Sequence, residues 1–100
     1  MTSGSQDEAR CELTLFVSGA SDLSVRAIAN ARALADIHLA GRYNLSVVDV
    51  HDDAASVASS GILVTPTLVK SWPLPVRRFV GDLSDTDRVL LALDLPHAPH

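Results

Sequence analysis

Cys11 is the only thiol in the chain, so thiol chemistry is the first function to test against the sequence. A thiol–disulfide enzyme needs a low-pKa thiolate, and a helix N-terminus supplies one because its dipole stabilises negative charge. The first helix mouth expected here is Ser18-Gly19-Ala20-Ser21-Asp22, which carries no sulfur. Cys11 stands ahead of the first expected strand, where it reads as a small, inert apolar residue. A single cysteine also leaves no internal disulfide, no CxxC pair and no four-thiolate zinc site. Asp49, His51, Asp52 and Asp53 form the densest polar cluster. Neighbours along a strand point to opposite faces, so these groups do not converge as metal ligands or as an acid–base pair and read as a solvated loop. His97 and His100 lack a third ligand nearby, and His38 reads as a boundary residue of an apolar helix face. No GxxxxGK[ST], GxGxxG or GxSxG sequence is present, so nucleotide and serine-hydrolase chemistry lack their anchors.

What remains is a surface suited to a partner. Lys70, Arg77 and Arg78 are three of only eight basic residues, and all fall on one expected hairpin. Such charges either solvate an edge strand and block sheet-to-sheet pairing, or form a cationic patch for an acidic protein surface, where arginine is favoured. Trp72, beside Pro73, is either a cover for that hairpin or an exposed anchor.

The elements that must position these residues follow from periodicity. Leu13-Thr14-Leu15-Phe16-Val17 is apolar on both faces, as a buried central strand requires. Asp22 or Ser24 is expected to cap a helix of some eighteen residues. Its stripe is Ala27, Ile28, Ala31, Leu34, Ala35 and Leu39, with Arg26, Asn30, Arg32 and Asp36 elsewhere. Gly41 stops it, and Tyr43 to Val50 forms a second, parallel strand. A short weak helix is expected over 53–60, followed by a strand opening at Val64-Thr65-Pro66-Thr67. Thr67–Lys70 and Val76–Val80 flank Trp72-Pro73-Leu74-Pro75 as an antiparallel hairpin. Ser84, with Asp87 three positions on, is expected to cap a last helix that carries Val89, Leu90 and Leu93. The order βαβαββα is the thioredoxin-like α/β arrangement. It occupies residues 12–95, between a flexible lead-in at 1–11 and a flexible tail at 96–100.

Composition narrows the partners. With 47% hydrophobic and 20% charged residues, the chain describes one compact domain. A net charge of −4 argues against a nucleic-acid partner. No apolar run approaches the ~20 residues of a membrane span, and Met1–Glu8 is polar and acidic, unlike a secretory signal. A cytoplasmic domain is expected.

The chain resembles the KaiB family of the cyanobacterial circadian clock and its bacterial relatives. The resemblance is carried by Leu15–Gly19, Ser24–Ala27 and Tyr43–Val50, and most specifically by Val64–Lys70, Pro73–Arg78 and Gly81–Ser84. Val89–Leu95 completes it. It implies a binding regulator without catalysis or cofactor. It also implies two folds from one sequence: a βαββααβ state that self-associates as a tetramer or dimer, and a thioredoxin-like monomer. That monomer docks on a KaiC-type hexameric ATPase, sequesters KaiA and competes with a sensor histidine kinase. Such switching needs two packings within a few kcal/mol.

By the same resemblance, Arg26, Tyr43, Lys70, Arg77 and Arg78 are partner-binding positions, with Arg26 and Lys70 facing the ring. Pro66, Gly81, Asp82, Ala92 and Asp94 belong to the fold switch, with Pro66 either cis or trans. Ser46 and Gly61 stand where cyanobacterial members commonly carry Lys, which thins the basic face. Ala92 stands where they often have Gly, which should firm the last helix. Two further readings compete. One is a constitutive thioredoxin-like interaction module resembling the sensor domain of the KaiC-reading kinase. The other is an enzyme built on His51, Asp52 and Asp53.

Overall fold

The computed structural model describes residues 10–52, 55, 58 and 65–95. In chain order the elements are β1 (Cys11–Val17), α1 (Asp22–His38), β2 (Tyr43–Asp49), β3 (Thr67–Trp72), β4 (Arg77–Val80) and α2 (Thr86–Leu93). The expected helix over 53–60 lies outside the described residues apart from Ala55 and Ala58, which are helical. Asp53, Gly61, Val64, His97 and His100 also lie outside them.

The four strands form one sheet in the order β2-β1-β3-β4. β1 runs parallel to β2 and antiparallel to β3, and β3 pairs antiparallel with β4. Residues facing each other across a ladder share a face of the sheet. Leu13 stands beside Leu45 and Lys70, and Leu15 beside Val47 and Leu68. That face carries the core, where Cys11, Leu13, Leu15, Val17 and Leu68 pack with Ala27, Ala31, Leu34 and Ala35 of α1 and Val89, Leu90 and Leu93 of α2. The three alanines let α1 lie close to the sheet. Phe16 and Thr67, beside each other on the opposite face, are buried as well.

Three local expectations need correcting. β1 begins at Cys11, so the cysteine belongs to the strand and does not precede it. The cap of α1 is Ser21, whose extended backbone frees its Oγ to accept the Ser24 N–H at 3.2 Å. Asp22 is instead the first helical residue, where its carboxylate suits the dipole, and Ser24 is buried inside the first turn. α2 is capped by Asp85 in place of Ser84, because Asp85 Oδ1 accepts the Arg88 N–H. The Ser84 N–H is already taken by Asp82 Oδ1 at 3.1 Å.

The chain leaves α1 through Ala40 and Gly41, both at positive φ, as the glycine predicts. β3 starts at Thr67, directly after a cis Thr65–Pro66 bond; the Trp72–Pro73 and Leu74–Pro75 bonds are cis too.

Candidate docking surface

The helix mouth of α1 holds serines where a thiol enzyme would hold sulfur. Ser21 caps the helix, and Ser24 Oγ reaches Ser18 O at 3.4 Å. Cys11 sits at the other end of β1. Burial pushes its thiol above the usual range, with Lys70 opposing and Glu12 adding to the shift. A raised thiol is a poor nucleophile. Cys11 should therefore react with an aromatic disulfide reagent only as fast as the native fold opens; reaction at the rate of a free thiol would contradict this placement.

Of the acidic cluster, Asp49 ends β2 and residues 50–52 form a turn. Asp49 Oδ1 accepts the His51 backbone N–H at 2.9 Å. That bond, with a further one from the Gly19 N–H, holds the Asp49 carboxyl below its ordinary range. His51 Nε2 lies 2.8 Å from Ser18 Oγ, a tie between the β1 and β2 ends that sequence reasoning missed. Among the described residues, no three His, Cys, Asp or Glu side chains converge as a metal set.

The five resemblance-based binding residues do not form one patch. Lys70 is only 1% exposed. It lies on β3, an interior strand, opposite buried Leu13, so its placement among exposed docking cations is corrected here. The edge is β4, and its Arg77 and Arg78 are both exposed. They lie opposite Lys70 and Val69 respectively, so they point to different faces, and among the described residues neither has a carboxylate partner. Tyr43 lies on β2, at the far edge of the sheet, and donates its hydroxyl to Asp36 Oδ1 at 2.6 Å, which raises its pKa.

Arg26 is exposed on α1, with Nη1 3.7 Å from Asp82 Oδ2. A proposed binding residue and a proposed switch residue are thus neighbours. Asn30, which the sequence did not single out, donates from Nδ2 to Asp82 O at 2.7 Å, and the Gly81 N–H bonds Pro66 O at 2.9 Å. These contacts fix the turn after β4, where Gly81 and buried Leu83 both have positive φ. Bonds from Ser84, with a smaller contribution from Arg26, hold the Asp82 carboxyl below its usual range. The sign follows: this support is present above the ordinary carboxylate range and is lost as pH falls through the lowered pKa.

On the hairpin, Trp72 is 42% exposed, Leu74 66% and Val76 53%, so an apolar tip projects beside two arginines. Of the two roles open to Trp72, the exposure fits an anchor better than a cover. Tryptophan and arginine are the residues most often found as anchors of protein interfaces.

A four-stranded sheet with this order and both described helices packed against its core face defines a thioredoxin-like fold, with serines in place of sulfur at the first helix mouth. The thioredoxin Deadhead of Drosophila melanogaster shares this fold at a TM-score of 0.66 and 12% identity, over 87% of this chain and 81% of that one. More similar in sequence is the N-terminal domain of SasA from Synechococcus elongatus, at 28% identity and a TM-score of 0.68, covering 85% of this chain and 84% of that one. The KaiB domain model matches residues 14–95. The circadian clock oscillator protein KaiB of Synechococcus elongatus is 45% identical over 83 residues, 83% of this chain and 81% of that protein. The chain belongs to the KaiB family.

Proposed function

We propose that this chain is a non-catalytic, cytoplasmic regulator that docks on a KaiC-type hexameric ATPase in a clock or clock-derived timing system. The observation that carries this reading is the hairpin: an exposed Trp72-Leu74-Val76 tip with Arg77 and Arg78 free of carboxylate partners among the described residues. A chain of net charge −4 that gathers unneutralised arginines beside an apolar tip is suited to a partner with an acidic-rimmed apolar site. Membership of the KaiB family makes a KaiC-type ring the partner of choice, and a KaiA-like protein or sensor histidine kinase the further ligands. Arg26 and Tyr43 support the docking state by fastening their elements to Asp82 and Asp36. A pull-down from the native cytosol tests the reading, which expects recovery of a RecA-type hexameric ATPase. Its absence after long incubation would refute docking.

Docking by fold switching is part of the same proposal, with a self-associating βαββααβ state as the alternative packing and Pro66, Gly81, Asp82, Ala92 and Asp94 at the pivots. Ala92 lies inside α2, where glycine costs about 1 kcal/mol relative to alanine. Ala92→Gly should therefore move the ratio of the two folds by about fivefold away from the state that keeps 86–93 helical. Size-exclusion chromatography with far-UV circular dichroism reads that ratio, and an unchanged distribution would count against the switch. The similarity to the SasA domain favours one second reading, a thioredoxin-like interaction module that stays monomeric throughout.

A further inference from the structure

We propose that Ser18 is a covalent modification site: a nucleophile, activated by His51, that takes a short uncharged acyl group from an acyl thioester. Ser18 Oγ and His51 Nε2 lie 2.8 Å apart, inside the reach of about 2.6–3.2 Å at which an imidazole serves as base to a hydroxyl. Backbone contacts hold the pair in place. The Val50 N–H bonds Val17 O at 2.9 Å, and the Asp49 carboxylate accepts the N–H groups of His51 and Gly19. Both neighbours of Ser18 are thus tied to the segment that carries His51. Ser18 is half-buried and His51 exposed, so the hydroxyl can be reached and the imidazole can exchange its proton with water. A depression of about 540 Å³, lined by Val17, Val47, Val48, Asp49 and Asp52, adjoins the pair, since Val17 precedes Ser18 and the two aspartates flank His51 in the chain. Its valines suit a short alkyl chain, and its carboxylates disfavour an anionic one.

With the neutral imidazole protonated on Nδ1, His51 Nε2 takes the Ser18 hydroxyl proton as Oγ bonds to the thioester carbonyl carbon. The C–S bond then breaks, and His51 returns the proton to the departing sulfur. The products are an acyl-serine and a free thiol, with no oxidant or further reactant consumed. An alkyl ester is less reactive toward water than a thioester, so the step is a modification and not a turnover. Once acylated, Ser18 has no proton to share with His51, and the tie between the β1 and β2 ends is lost. Docking on an ATPase is needed for no part of this chemistry.

The test incubates the purified chain with S-butyryl-N-acetylcysteamine, an uncharged thioester, in mildly alkaline buffer. Peptide mass spectrometry follows the rate of acylation at each serine. Ser18 is expected to react faster than Ser46, an exposed serine of β2, by about 100-fold or more, the contribution of a positioned general base. His51→Gln should remove that advantage, with His51→Ala as a second variant, and Ser18→Ala should abolish the fast phase. Neither Ser18 nor His51 belongs to the buried core, and circular dichroism checks that each variant keeps its fold. The corresponding succinyl thioester, whose acyl group carries a carboxylate, should react about tenfold more slowly than the butyryl one. A Ser18 no faster than Ser46 overturns the proposal, as does an unchanged rate in His51→Gln or an acyl group that settles on His51. Equal butyryl and succinyl rates would overturn the depression as the place of the acyl chain.

Discussion

Leu15→Ala is expected to cost about 3–5 kcal/mol of folding stability, the range for truncating a fully buried leucine whose surroundings cannot collapse. Leu15 has no exposed surface. It lies mid-way along β1, an interior strand, between Val47 of β2 and Leu68 of β3. Strands held on both sides by ladders cannot close the gap, so most of the cavity should persist. For a domain whose total stability is about 5–15 kcal/mol, the loss leaves a protein only partly folded at warm temperatures. Leu91→Ala is the matched control, because Leu91 is 74% exposed on the outer side of α2 and should change stability by less than about 0.5 kcal/mol. Denaturant midpoints at constant m-value measure both. Equal effects at the two positions would mean that the core is not where the sheet places it.

The largest effect on binding should come from Arg77→Glu with Arg78→Glu. Each reversal replaces attraction to an acidic partner by like-charge contact, a change of several kcal/mol where the pair is desolvated. The double variant should therefore lose affinity for a KaiC-type ATPase by about 100-fold or more. Both arginines are exposed, and among the described residues neither is paired with a carboxylate, so unfolding midpoints should stay within about 0.5 kcal/mol of the wild type. Isothermal titration with the ATPase, beside a thermal melt of each protein, separates the two quantities. Unchanged affinity would move the docking surface away from the hairpin.

Both expectations draw on features that differ in how visible they were in the sequence. The apolar run of β1, the alanine-rich stripe of α1 and the turn chemistry around Gly41 and the prolines are local, and each lies where its pattern placed it. The misreadings arise where local pattern has no information. Lys70 looked like an edge cation because hairpin strands are often edges. Its burial is set by strand order, with β1 covering one side of β3 and β4 the other. Asn30 and Asp82 meet across 52 residues of chain, and Ser18 and His51 across 33; no periodicity signals such pairs. The helix caps were displaced by one to three positions because Ser21, Asp22, Ser24, Ser84 and Asp85 all suit a cap by type. The backbone angles decide among them.

The surface was half legible. Arg77, Arg78 and Trp72 stood out by type and spacing, whereas the approach of Arg26 to Asp82 exists only once α1 lies beside the turn after β4. The lack of sulfur at the first helix mouth is plain from Ser18-Gly19-Ala20-Ser21-Asp22, whereas the choice of Ser21 as its cap is not.

The role proposed for the chain is attachment to an ATPase ring. Mixing the purified protein with a purified KaiC-type hexamer, incubating from minutes to a day and sizing the mixture by light scattering tests it most directly. A complex heavier than the hexamer, formed by the wild type and not by the Arg77→Glu, Arg78→Glu protein, is the predicted result. A hexamer whose mass never changes, at any time or concentration, would contradict it.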